Sequence, residues 1–346
     1  MLRSMIAAAG LLMATSALAE PATRAQDILE RFRDANQWRD HVMVAAHRAG
    51  GLMGGKRIYP ENSMASLRAM IDLGVEMVEL DVQKTRDNVF VVLHDSWLDR
   101  TTTCRGRLVD YSFADLADCW LVVEGTGKAT NEGVPTLQDM LEIARGRILV
   151  NIDNKLDADA LGGMVEIARR IGVVDQIVVK QNLWNGERIA QAQRLVDALD
   201  NGASFMPIIA DDAVTDTQFL EQATNAVGAN AVELITWRND ARRLTHDGGV
   251  LFSSRARAIA ARGNWHLWVN TYAIVNKPGG YLSGGRGDEL AVSAGLPDEV
   301  YGFWVDRGAT IIQTDEPKAA MDWLNANAFR VPYAADQVTT AARLSQ

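Results

Sequence analysis

The feature that most constrains the fold is a recurrence of short apolar, β-branched runs, each closing at or just before a polar residue. They are VMVAA before His47, VEMVELDV ending at Val82, VFVVL before His94, ILVNID ending at Asp153 and IVVK ending at Lys180; FMPIIA around Ile208, AVELI ending at Ile235, HLWVN ending at Asn270 and TIIQTD ending at Asp315 follow. Most are separated by stretches of helical periodicity, among them 136–145, 158–171, 186–199 and 219–227. Strands alternating with helices predict a parallel sheet of βα units, and this many units predict an α/β fold closed as a (β/α)8 TIM barrel. Nine runs compete for eight barrel positions. Only Thr85, Arg86, Asp87 and Asn88 stand between Lys84 and Val89, too few for the crossover that parallel neighbours need, so this pair is predicted as a hairpin. Folding back there brings His94 near Glu79.

Ahead of the first run, Ile28, Leu29, Phe32 and Trp38 recur at helical spacing among charges, which predicts an amphipathic helix laid over the barrel floor. Long connections at 96–134 and 272–307, the second interrupted by Gly279, Gly280, Gly284, Gly285 and Gly287, are the expected substrate-facing walls. The tail after Pro332 reads as loosely ordered. No internal repeat or polar linker marks a boundary, so residues 20–346 read as a single domain with its core at 42–323.

The first nineteen residues carry one cation at Arg3, an apolar run over 5–13 and a small-residue cleavage site at Ala17-Leu18-Ala19. The run falls far short of the ~20 apolar residues of a spanning helix. Residues 1–19 therefore read as a secretory signal peptide, with an exported chain, periplasmic or secreted, that has no stable membrane insertion after cleavage. The balance of 35 Lys+Arg against 44 Asp+Glu gives a formal charge of −9, the wrong sign for a nucleic-acid partner. Cys104 and Cys119 are too few for a four-cysteine zinc site, so any metal must find oxygen or imidazole ligands. In an exported chain the two either form a disulfide or remain buried thiols.

Polar residues close otherwise apolar strands at His47-Arg48, Glu79-x-Asp81, His94-Asp95, Asp153-x-Lys155, Lys180 and Asp315. In barrel enzymes that rim carries the active site. Glu79 and Asp81, two apart on a strand, share a face and repel each other. With Asp153 they form an all-oxygen set suited to one hard divalent cation, Ca²⁺ or Mg²⁺; a salt-bridge cluster with Arg48 and Lys155 accounts for the same residues. His47 and His94 supply a base and an acid near neutral pH, and Arg48, Lys155 and Lys180 add charge suited to a phosphoryl group. His41, His246 and His266 lack such company and read as ordinary core or surface residues.

These residues carry a family resemblance. AHRAG at 46–50, PENS at 60–63, ELDVQKTRDNVFVVLHD at 79–95, RTT at 100–102, PTLQDML at 135–141, NIDNK at 151–155, LWVN at 267–270 and TDEP at 314–317 resemble, in order, the glycerophosphodiester phosphodiesterase family. The resemblance implies a barrel of the phospholipase-C-like phosphodiesterase type that hydrolyses small-molecule glycerophosphodiesters to glycerol 3-phosphate and an alcohol with a divalent cation. It implies His47 and His94 as the catalytic pair, His47 as base and His94 as acid. Glu79, Asp81 and Asp153 match the metal ligands, Arg48 and Lys155 the phosphate contacts, Glu61 and Asn62 the rim motif, and Trp268 a position beside the substrate. Three features depart from the pattern: a longer glycine-rich stretch between Arg48 and Pro60, Asp153 where glutamate is usual, and Lys180, whose ammonium reaches either the phosphate or a carboxylate. The other readings are a phospholipase-C/D-like phosphodiesterase or lyase acting on lipid headgroups, and a non-catalytic phosphodiester-binding protein, for which an intact histidine pair has no use.

Overall fold

The computed structural model describes residues 22–50, 52–199, 202–238, 244–272, 276–277, 280–334 and 336. Segment 1–19, expected to be a signal peptide, Gly279 of the glycine-interrupted connection, and the tail beyond 336 lie outside the described residues.

Eight parallel strands close on themselves: β1 Met43–Ala46, β2 Met77–Lys84, β4 Leu149–Asn154, β5 Ile177–Asn182, β6 Ser204–Ala210, β7 Ala231–Ile235, β8 His266–Asn270 and β9 Ala309–Thr314. The ring closes where β1 pairs with both β9 (Met43 beside Ile311, Ala46 beside Thr314) and β2 (Ala45 beside Met77). The ninth apolar run, β3 Phe90–Val92, returns antiparallel to β2 with Val82 opposite Val92. Its turn is closed by hydrogen bonds from Thr85 N to Val89 O and from Asn88 N to Thr85 O, with Asn88 in the left-handed region at φ 65°. The strands are buried on both faces, which is why each reads as an unbroken apolar run rather than an alternating one.

The described helices are α1 Arg24–Arg33, α2 Met64–Leu73, α3 Leu137–Ala144, α4 Ala160–Arg170, α5 Gly186–Ala198, α6 Thr217–Val227, α7 Ser254–Gly263, α8 Tyr301–Asp306 and α9 Pro317–Ala326. Helix α1 starts at a capping box in which Thr23 and Gln26 satisfy each other's backbone N–H. Its apolar stripe, Ile28, Leu29 and Phe32, packs on Met43, Met77, Leu149, Val178, Met206, Ala231, Trp268 and Ile311, so it floors the barrel. Tyr333, expected in a loose tail, is buried in the same floor, where Arg31 holds the chain through Val331 O and Pro332 O. His41 and His266 are buried there too, His266 bonded to Thr310 and to Arg31 O and pushed down to about 4 by burial. His246 is exposed. No helix among the described residues is long and apolar enough to cross a membrane.

Two excursions ride on the opposite end. After Arg48, strands Leu52–Met53 and Lys56–Arg57 form a small hairpin whose tip donates Gly54 N and Gly55 N to Glu316. After β3, residues 96–134 build a separate small core of Val91, Leu93, Leu98, Leu108, Leu116, Leu121 and Val134, and a disulfide joins Cys104 to Cys119 within it. The connection before β9 is not all loop: α8 buries Tyr301, Phe303 and Trp304, a short aromatic helix that the surrounding glycines hide from any periodicity.

Candidate active site

Register places the acids. Glu79 and Asp81 share the inward face of β2, and the parallel pairing with β4 sets Asp153 directly beside Asp81. Carboxylate oxygens of Glu79, Asp81 and Asp153 all lie within 4.8 Å of one another. Two oxygens on a cation with bonds of about 2.4 Å stand at most about twice that distance apart, so the three fit around one hard ion. The charge balance agrees: six buried or half-buried carboxylates, of Glu61, Glu79, Asp81, Asp95, Asp153 and Glu233, face four cations, Arg48, Arg100, Lys155 and Lys180. Burial, with the neighbouring Asp81 charge, pushes Glu79 up to about 7. Asn62, itself left-handed at φ 57°, clasps Asp81 at both ends, donating Nδ2 to Oδ2 (2.7 Å) and accepting Asp81 N–H at Oδ1 (3.2 Å).

The cations expected at the phosphate are each engaged with these acids. Lys155 Nζ lies 2.5 Å from Asp153 and 2.9 Å from Asp81 Oδ1. Lys180, buried, bonds Glu233 at 3.2 Å and stands 3.7 Å from Asp153, so of its two expected partners the carboxylates hold it. Arg48 lies 3.0 Å from Glu61 and 3.6 Å from Asp81. It reaches them through an abrupt turn in which Arg48, Ala49 and Gly50 are successively left-handed, at φ 51°, 62° and 74°. For the two non-glycine residues that costs roughly 1–2 kcal/mol each. The turn aims the Arg48 N–H at Glu79 Oε2 (2.9 Å), and a Cβ at position 50 would come within 2.6 Å of the Met70 sulfur. Glu61 is fully occupied by two guanidinium groups, Arg48 and Arg100.

The histidines stand on the same rim in different settings. His47 is buried, gives or shares its Nδ1 proton with Asp315 at 2.8 Å, and stacks on Tyr272 with ring centroids 3.8 Å apart. Its pKa is raised: burial alone would lower it, and the charge and hydrogen bond of Asp315 overcome that. Behind Asp315, the buried Asp288 accepts from Asp315 N (2.8 Å) and Thr314 Oγ1 (2.9 Å) and is itself pushed up to about 7 by burial and the Asp315 charge. His94 is one-third exposed and pairs through Nδ1 with Asp95 at 2.6 Å, while Arg100 bridges Asp95 to Glu61. Those bonds hold Asp95 down at about 2.

Trp268, which the resemblance sets beside the substrate, lies deeper in the barrel than the other expected site residues. Residues 266, 268 and 270 share the inward face of β8, so Trp268 sits one layer below the rim, fully buried in the floor core, and donates its indole N–H to Asn270 Oδ1 (2.8 Å). Asn270 in turn donates to Glu233 (2.7 Å) and Tyr272 (3.1 Å). Five residues of the site carried no assignment from the sequence: Arg100, Tyr272, Asn270, Glu233 and Asp288. Asn270 and Asp315 at least close apolar strands; Asp288 sits among glycines in a connection and left no pattern.

A family model described as glycerophosphoryl diester phosphodiesterase family matches residues 53–294. A glycerophosphodiester phosphodiesterase of Caldanaerobacter subterraneus is 34% identical over 115 residues, 33% of this chain and 45% of that protein. Glycerophosphodiester phosphodiesterase 1 of Mus musculus is 35% identical over 124 residues, 35% of this chain and 36% of that protein. The chain spans about half the length of these curated relatives, or less. Among solved structures, a glycerophosphoryl diester phosphodiesterase from Parabacteroides distasonis superposes with TM-score 0.64 at 17% identity, covering 91% of this chain and 96% of that one. A phosphodiesterase from Oleispira antarctica, solved with the product sn-glycerol-3-phosphate, gives TM-score 0.53 at 17% identity, covering 82% and 96%. The barrel is thus the one these structures share, and with the model spanning well over half of its length the chain belongs to the glycerophosphoryl diester phosphodiesterase family.

Proposed function

We propose that this chain is a metal-dependent phosphoric diester hydrolase that cleaves small glycerophosphodiesters to glycerol 3-phosphate and an alcohol. The observation that carries the reading is one rim holding a three-carboxylate cluster and two histidines, each oriented by its own aspartate. A divalent cation, Ca²⁺ or Mg²⁺, on Glu79, Asp81 and Asp153 supplies charge stabilisation at the phosphoryl oxygens. Arg48 and Lys155 add fixed positive charge beside it. His47, with Nδ1 committed to Asp315, takes the proton of the glycerol 2-hydroxyl at Nε2; that oxygen bonds to phosphorus, and the P–O bond to the leaving alcohol breaks. His94 gives its proton to the departing alkoxide, and water then opens the cyclic phosphate. Export with cleavage before Glu20 is proposed alongside, and the mass of the chain recovered outside the cytoplasm checks it.

Release of glycerol 3-phosphate from a panel of deacylated phospholipid headgroups, with and without chelator, tests the reading. Ca²⁺ or Mg²⁺ is expected to restore activity and raise the Tm, because an ion bound only by the native cluster stabilises by mass action. Glu79→Gln and Asp81→Asn should abolish both effects. Full activity in excess chelator, with no metal found by elemental analysis, overturns the metal assignment.

A further inference from the structure

Two contacts fix the histidine that the proposed reaction uses as its base. The first, Nδ1 to Asp315 at 2.8 Å, sets one edge of the ring but leaves its tilt loose, because the torsion that turns an imidazole is a broad one. The second is a face. Tyr272 lies against the His47 ring with centroids 3.8 Å apart and planes 9° apart. At a ring spacing of about 3.5 Å that separation leaves a lateral offset of at most about 1.5 Å, so the two rings nearly eclipse each other. Two neutral rings avoid this arrangement, since both faces are negative, whereas a cation over the same face is attracted. The stack therefore favours the imidazolium over the imidazole.

The phenol is anchored at both ends. The Trp268 indole can only donate, so it takes Asn270 Oδ1 (2.8 Å), and the Asn270 amide nitrogen is left to donate to Glu233 (2.7 Å) and to the Tyr272 hydroxyl oxygen (3.1 Å). Glu233 is held in turn by Lys180 at 3.2 Å. On the main chain, Thr271 N donates to Gln313 O (2.8 Å) and Thr271 O accepts from Asp288 N (2.7 Å), which ties the peptide that carries Tyr272 to β9 and to the residue behind Asp315. A Cβ at position 287 would come within 2.8 Å of Thr271 O, so that close approach needs Gly287. We infer that Tyr272 is a positioning residue for the base: its ring holds the His47 imidazole in one plane, and its π face takes up the positive charge that arrives with the proton of the glycerol 2-hydroxyl. This inference rests on the proposed phosphodiesterase reading.

The test keeps the ring and changes its electrons. Phenylalanine and its mono-, di- and trifluoro derivatives at position 272 fill nearly the same space while the face becomes stepwise less negative. The readouts are the acid limb of kcat/KM for glycerophosphocholine against pH and the NMR titration of the His47 ring protons. Both are taken at one saturating concentration of Ca²⁺ or Mg²⁺, so that Asp315, Glu79, Asp153 and Arg48, the charged groups that face His47, are common to every variant. Tyr272→Phe should stay within about 0.3 pH unit of the wild type, and each fluorine should move both readouts further to lower pH. Tyr272→Leu, an apolar cover without a π face, should move them by about one unit, an about ten-fold loss of proton affinity, and lower kcat about three- to ten-fold with KM little changed. If Tyr272→Leu does not fold, the fluorinated series decides alone. Readouts that stay in place across the series, or a change confined to KM, with glycerophosphocholine still cleaved by the wild type, overturn the inference and leave the phosphodiesterase reading standing. A shift in Tyr272→Phe as large as that in Tyr272→Leu also overturns it, because the effect then belongs to the hydroxyl. A wild-type protein that cleaves no glycerophosphodiester overturns both.

Discussion

His47 and His94 stand on one rim and each bonds an aspartate through Nδ1, yet the surroundings differ in every other respect. His47 is buried, stacked on Tyr272, and oriented by an aspartate that is itself pinned from behind by Asp288. His94 is part-exposed, its aspartate is the next residue in the chain, and the guanidinium that steadies that aspartate is 40% exposed. A buried imidazole with a fixed partner has one orientation and a raised pKa, which suits accepting a proton from a group held in place. An open one with a local partner can follow leaving groups of different shape. The comparison teaches that two identical side chains on one barrel rim are differentiated by what lies behind them.

The largest effect should come from removing the buried partner. His47→Ala is expected to lose about 10²- to 10⁴-fold in kcat on every ester, nitrophenyl esters included, because no substrate supplies its own base. His94→Ala should lose a similar factor on choline or ethanolamine esters but far less on a nitrophenyl ester, whose anion departs unprotonated; steady-state kinetics on both substrates would show the reverse pattern if the roles were exchanged. Equal losses of both variants on both esters would erase the distinction drawn here.

Asp315→Asn sharpens the comparison from behind His47. A hydrogen bond to a charged partner is worth about 1.5–3 kcal/mol, so kcat should fall about 10- to 100-fold. Because Asp315 is what raises His47, the variant's acid limb in kcat/KM against pH should move to lower pH. Linkage has the same sign: a raised histidine stabilises the fold below its unfolded value of about 6.5 and ceases to do so as pH rises through the folded value. The stability cost of Asp315→Asn is therefore expected to be largest in acid and to shrink above neutrality, as denaturant titrations across pH will read.

The smallest effect belongs to the disulfide. Closing a loop of 15 residues between Cys104 and Cys119 is worth up to about 3 kcal/mol in the chain-entropy model. The bridge lies in the segment that carries Arg100, so the double Cys→Ser variant should loosen the His94 side alone, raising KM and lowering Tm with the acid limb set by His47 unmoved.

The barrel was legible because parallel strands buried on both faces must be apolar throughout, and the hairpin because four residues leave no room for a crossover. The acids were legible because a charge closing a buried strand is conspicuous. Their partners were not: Arg100 meets Glu61 across 39 residues and Asn270 meets Glu233 across 37, contacts between different elements that leave no local pattern. The depth of Trp268 below the rim was not legible, because it depends on the register of β8, which the sequence does not state. Helix α8, six residues among glycines, is too short to show a period.

The bond between His47 and Asp315 joins residues 268 positions apart, and the strands that bear them, β1 and β9, are the two that shut the ring. During synthesis the ribosome releases His47 and every acid of the cluster long before residue 315. Until then His47 has no Asp315 to orient it. A chain cut short just before β9 would therefore carry His47 and the three clustered acids without the aspartate that orients the imidazole.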